Sequence, residues 1–172
     1  CDSGSRFVAS IEPLIDTCRS NNESIMTFST QYLEKHWTKR DCFVQLKCDH
    51  ADFANSAQRK GSFSLWRKSS AAIDFASDWL AMAQDETLVT DIENQLGKDN
   101  YEGFVGHRHD QSIFSLLAKS RGLPVFRDPS QFGNLYLFHY PNSHYDQIID
   151  HTRRGSRSPL SSAFHGINRH LF

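Results

Sequence analysis

The stretch Gly106-His107-Arg108-His109-Asp110-Gln111-Ser112 sets two imidazoles, a guanidinium, a carboxylate and a carboxamide directly before the apolar run Ile113-Phe114-Ser115-Leu116-Leu117. Polar groups are costly beside core-forming surface, so this junction is the first place to look for chemistry. Its residue types fit three uses. His107 and His109, two apart on an extended segment, would face the same way and could share a metal ion, with Asp110 as a third group in a metal-dependent hydrolase. Asp110 could instead simply cap a helix, the histidines being loop hydrogen-bonders. The third use is ligand binding. Asp110 and Gln111 at a helix N-terminus, with His107 and His109 beside them, would offer the acceptors and donors that sugar hydroxyls need.

Two further stretches carry charge in a pattern. Thr38-Lys39-Arg40-Asp41 has the hydroxyl-to-acid spacing of a capping box ahead of Phe43, Val44 and Leu46. Lys39 and Arg40 then fall in the first turn of a helix. That end is unfavourable for cations unless an anion comes close, which makes both candidate diphosphate contacts. Residues 141–172 are polar and basic, with Arg153, Arg154, Arg157, His165, Arg169 and His170. They read as a solvated tail or as a flap over a phosphate-bearing ligand.

The elements that must hold these groups alternate along the chain. Ser10 caps a helix near residues 11–19, with Pro13 in its first turn. A strand follows over 24–28, then a helical turn from Thr30 that holds Tyr32, Leu33, His36 and Trp37. Thr38 opens the next helix, and a polar loop runs from Cys48 to Arg59. Gly61 to Trp66 alternates in strand period. Ser69 and Ser70 cap a helix over about 70–84 whose buried stripe would be Ile73, Ala76, Trp79, Leu80 and Ala83. Residues 85–106 show little periodicity. Asp110 then caps the strongest helix of the chain, ended by Gly122 and Pro124. Strands are expected over 123–126 and 135–138, around a turn at Asp128-Pro129-Ser130. This alternation predicts an α/β fold.

A chain of 172 residues can enclose one sizeable core. Its net charge of −1 argues against a phosphate backbone as partner, so no nucleic acid is expected. No apolar run nears the roughly 20 residues of a transmembrane segment, and no signal-like segment opens the chain. Cys1, Cys18, Cys42 and Cys48 form no Cys-x-x-Cys pair and are read as reduced. A cytoplasmic location is compatible with this, though no motif assigns a compartment.

Taken in order, these segments resemble the C-terminal part of a GT-A-type nucleotide-diphospho-sugar glycosyltransferase. Cys1-Asp2-Ser3-Gly4-Ser5 is similar to the element that ends the strand after the nucleotide-binding half, and Ile11-Glu12-Pro13-Leu14-Ile15 follows it in the expected place. Trp37-Thr38-Lys39-Arg40-Asp41-Cys42-Phe43 comes next. Gly61-Ser62-Phe63-Ser64-Leu65-Trp66-Arg67 is similar to the strand that faces the acceptor. Trp79-Leu80 and Leu88-Val89-Thr90-Asp91 follow. The most specific match, His107 to Leu117, is similar to the Asp-Gln element of several sugar-nucleotide transferase families. The resemblance covers about residues 1–127.

The resemblance implies a Rossmann-like mixed sheet with flanking helices over residues 1–140. It implies transfer of a hexosyl group from a nucleoside diphosphate sugar to a glycan or other hydroxyl acceptor, in glycan or polysaccharide synthesis. Asp110 and Gln111 would form the catalytic centre at the donor sugar. Asp2, Lys39 and Arg40 would face the nucleotide or diphosphate, and Ser62, His107 and His109 the substrate. A divalent cation, Mn or Mg, would sit at Asp2. Gly4, however, stands where the second acid of an Asp-x-Asp motif would fall, which leaves metal dependence open. The nucleotide-binding half has no counterpart, so the chain is expected to be part of such a domain. The alternatives are a non-catalytic carbohydrate-binding or assembly module of that fold and the metal-dependent hydrolase described above.

Overall fold

The computed structural model of the protein describes residues 1–134 and 140–152. The strand expected over 135–138 and the basic residues from Arg153 on lie outside the described residues. In chain order come β1 (Ser5–Phe7), α1 (Glu12–Ser20), β2 (Ile25–Leu33), α2 (Glu34–Trp37), α3 (Arg40–Gln45), α4 (Ala51–Ala54), β3 (Ala57–Arg59), β4 (Leu65–Trp66), α5 (Ser70–Ala83), α6 (Glu86–Val89), α7 (His109–Ser120), β5 (Val125–Phe126), a 3-10 turn at Gln131–Asn134, and β6 (Ile149–His151).

The sheet is organised on β2. Its first five residues, Ile25-Met26-Thr27-Phe28-Ser29, are all buried, as befits a strand covered on both faces. β3 and β4 pair with it antiparallel and β5 pairs parallel. The chain is thus mixed α/β, a mixed sheet with flanking helices. β1 and β6 form a separate antiparallel ribbon. Residues 141–152, expected to begin a tail, join the folded body. Tyr145, Ile148 and Ile149 enter the core, because their apolar bulk outweighs the polarity around them.

Alternation along β2 serves two cores. Met26 and Phe28 pack with Leu14, Phe63, Phe126 and Ile148. Ile25 packs with Phe75, Phe114 and Leu117. α7 lies between that second cluster and a third containing Phe43, Cys48, Leu88, Ile113 and Leu116. Ser112 to Ala118 are therefore buried without a break, so this helix is enclosed rather than amphipathic. Its serines must find partners inside the protein.

Several elements depart from the sequence reading for identifiable reasons. α5 buries Ala72 and Phe75, while Ile73 and Leu80 are 53% and 61% exposed. Apolar residues surround this helix, so two stripes are available, and the aromatic one prevails. Phe75 meets Phe114 at 5.7 Å and Trp79 meets it at 5.0 Å between ring centroids. The capping box at Thr38 does not form, and α3 begins without a side-chain cap. The Thr38 hydroxyl donates instead to Glu34 Oε2 at 2.7 Å, since a buried carboxylate needs the donor more than a helix end does. Asp41 accepts from the backbone amides of Gln95 and Leu96 at 2.6 and 3.1 Å, which ties down the aperiodic segment. The stretch expected to be a loop from Cys48 contains α4 and β3. The strand expected over Gly61 to Trp66 keeps only its last two residues. No helix among the described residues is long and apolar enough to cross a membrane.

Candidate functional site

A cavity of about 650 Å³ opens at the start of α7, a volume suited to a small ligand. Its wall draws on the chain start at Asp2, the end of β2, the turn Lys60-Gly61-Ser62, residues 107–111, residues 127–133 and β6. Of the residues expected to form a site, Asp2, Ser62, His107, His109, Asp110 and Gln111 all line it. Local contacts bring them together. The Asp2 amide donates to the Ser62 carbonyl at 2.7 Å, which draws the chain start onto the turn. Gly61 permits the close approach of α7. A Cβ there would stand 2.8 and 2.9 Å from Cβ and Cγ of Gln111.

Lys39 and Arg40 are placed elsewhere. Lys39 is buried and its Nζ donates to the Ile92 carbonyl at 2.6 Å. Arg40 donates to both oxygens of Asp49, at 2.6 and 3.2 Å, and lies 3.7 Å over the Tyr101 ring. The cations at the start of α3 are answered within the protein, and neither lines the cavity.

Arg108 takes the N-cap position of α7, so Asp110 falls in the first turn and not at the cap. Asp110 is exposed, and a carboxylate in that turn is favoured by the helix dipole. His109, the first helical residue, has a left-handed φ of +46° and pairs with Asp91 at 3.1 Å. Gln111 points inward. Its Nε2 donates to Gln58 Oε1 at 3.0 Å and to the Arg59 carbonyl at 3.1 Å. The Arg108 guanidinium carbon lies 4.2 Å from the Trp37 ring centroid and 4.5 Å from that of Tyr32, within cation–π range of both.

His107 is structural in its bonding. Its Nδ1 accepts from the Lys39 amide at 3.3 Å and its Nε2 donates to the Leu88 carbonyl at 2.7 Å. Those two bonds fix one neutral tautomer and occupy its lone pair. Burial is the main reason its pKa is pushed down to about 4. A metal ion shared with His109 would need that lone pair. At Asp2, Gly4 supplies no side chain where a second acid would fall. Among the described residues no three of His, Cys, Asp and Glu gather to hold a metal.

Several groups in the cavity wall or directly behind it escaped the sequence reading. Gln58, wholly buried, fell in a presumed loop. Lys60 forms a short, buried ion pair with Asp128, 68 residues away. Arg127 stands beside that acid, and its adjacency to Asp128 after an apolar strand was the one available signal. His151 lay in the expected tail. Its Nδ1 shares a 2.7 Å hydrogen bond with the Ser5 hydroxyl.

No protein-family model, curated protein or solved structure matches this chain.

Proposed function

We propose that this chain is part of a GT-A-type glycosyltransferase, and that the cavity receives the sugar of a nucleoside diphosphate donor together with an acceptor hydroxyl. What supports this best is the convergence of Asp110, Gln111, Asp2 and Ser62, from three distant segments, on one cavity. Sugars present several hydroxyls, each both donor and acceptor. An exposed carboxylate and a carboxamide fixed by Gln58 can orient such a ring. Positioning of the anomeric carbon against the acceptor oxygen would supply much of the rate. The departing diphosphate needs positive charge, and Lys60, Arg108 and Arg127 line the same cavity.

Saturation-transfer NMR of the full chain against a panel of nucleotide hexoses, followed by product analysis with candidate acceptors, tests the reading. Asp110→Asn should weaken hexose contact or slow transfer by about tenfold or more, the order of one lost charge-assisted hydrogen bond, at unchanged melting temperature. Equal binding and transfer in a folded Asp110→Asn/Gln111→Ala protein would remove the site assignment. Binding of free glycans with no response to any nucleotide sugar would favour a carbohydrate-binding module instead.

A further inference from the structure

We propose that Tyr32 and Phe132 form an aromatic subsite of the cavity that stacks on pyranose rings, so that the acceptor is a saccharide. The acceptor role rests on the sugar-transfer reading. The stacking subsite itself does not.

Both side chains line the cavity, and both are open to solvent there, Tyr32 at 43% exposure and Phe132 at 46%. Aromatic rings are large apolar surfaces, and an open ring in a concave site is surface for a ligand. Tyr32 is exposed because β2 changes along its length. The first five residues are buried, but the ladder to β3 shifts register between Ser29 and Leu33. Such irregularities re-aim the side chains they carry. The Tyr32 ring then meets Trp37 edge to face at 5.6 Å between centroids, and its amide donates to Thr30 Oγ1 at 3.2 Å. Phe132 rides on the 3-10 turn. Gln131 clamps that turn to β6, donating to the His151 carbonyl at 2.7 Å and accepting the His151 amide at 3.0 Å. The Phe132 amide donates to Ser130 Oγ at 3.3 Å. Both rings are thus held before a ligand arrives.

A pyranose has the matching chemistry. Its hydroxyls surround the ring edge, and its axial C–H bonds form an apolar face with slight positive charge. The negative face of an aromatic ring attracts such bonds. The same wall supplies partners for the edge, in the carboxylate of Asp110, the carboxamide of Gln111 and the hydroxyl of Ser62. A lipid chain in the cavity would desolvate those groups and leave them unpaired, which is costly. A serine or threonine hydroxyl would bring no ring of its own. Lys60, buried and 5.0 Å from the Phe132 centroid, lies deeper. The exposed rings therefore stand toward the mouth, where a glycan longer than the cavity can extend into solvent.

Saturation-transfer NMR of the full chain with a panel of methyl hexopyranosides and the corresponding alditols, with and without UDP, provides the test. Selective saturation of aromatic protein protons should reach ring C–H protons of at least one pyranoside. Its alditol, which keeps hydroxyls but has no ring face, should bind about tenfold more weakly. Phe132→Leu keeps apolar bulk without a ring and should weaken the pyranoside by about tenfold, whereas Phe132→Trp should retain it. Tyr32→Leu should act in the same direction, with Tyr32→Phe as the control that keeps the ring. Equal binding of alditol and pyranoside, no transfer to any pyranoside, or unchanged affinity in folded Phe132→Leu and Tyr32→Leu proteins overturns the subsite. Displacement of the pyranoside by UDP overturns the acceptor role. If pyranosides bind as expected but no nucleotide sugar is turned over, the subsite stands and the transferase reading falls. Transfer to a hydroxyl that is not on a saccharide, unchanged in Phe132→Leu, does the reverse.

Discussion

The carboxamide of Gln111 donates to the carboxamide oxygen of Gln58 at 3.0 Å, so a residue of the cavity wall is aimed by one that solvent never reaches. Gln58 also accepts from Arg108 Nη1 at 3.4 Å and donates to the hydroxyls of Thr38 and Ser112 at 3.2 and 3.3 Å. Gln58→Leu keeps the bulk and strands these partners. It should cost about 2–3 kcal/mol in urea denaturation, the range for a buried network that loses its centre. A loss under about 0.5 kcal/mol would mean that the network contributes little to the fold.

Gly61 and Gln111 compete for the same space. Gly61→Ala brings a methyl against Cβ and Cγ of Gln111 and should displace the helix start. We expect about 1 kcal/mol of destabilisation and a larger proportional loss of ligand affinity. Adding Gln111→Ala removes the Cγ contact but keeps the Cβ one, so it should recover part of the stability and none of the affinity. Strictly additive effects in this double-mutant cycle would rule out the contact as the cause.

Lys119 lies in the last turn of α7 and points into the protein. It reaches Glu34 Oε1 at 2.7 Å and Ser56 Oγ at 2.6 Å, and the hydroxyls of Thr38 and Ser115 also bond the same buried carboxylate. Lys119→Met leaves that charge unpaired and should cost about 3–5 kcal/mol, whereas Glu34→Leu/Lys119→Met should cost distinctly less. Thermal or urea unfolding of both proteins checks the order. A double variant less stable than the single one would refute the compensation.

Burial lowers the folded-state pKa of His107 from its usual 6.5 to about 4. As pH falls, the unfolded chain therefore takes up this proton first. Stability from this group is complete above about pH 6.5 and declines toward pH 4, by at most about 3 kcal/mol. Urea midpoints between about pH 7.5 and 4 should show this slope in the native protein and a shallower one in His107→Asn. Identical slopes would exonerate His107.

The sequence made some of this legible, for physical reasons. α7 could be read because its apolar spacing, Gly122 and Pro124 act locally. The polar run before it could be read because such groups seldom precede a core helix without a role. The face of α5 could not, since Ile73, Phe75, Trp79 and Leu80 offer two apolar stripes and only the position of Phe114 decides between them. Thr38 has a good capping pattern, yet the buried carboxylate of Glu34 claims its hydroxyl. Lys60 with Asp128 and Gln58 with Gln111 are pairs made by the tertiary fold across 68 and 53 residues. Nothing local announces such partners.

The ribbon of β1 and β6 bears on how the protein is made. Ser5 and His151 bond across 146 residues, and His151 contributes to the cavity wall. Synthesis runs from N- to C-terminus, so Ser5 leaves the ribosome 146 residues ahead of His151. Until residue 151 emerges the cavity has no finished wall, and closing so distant a contact is slow compared with local helix formation. A nascent chain therefore completes this wall only once β6 has paired with β1.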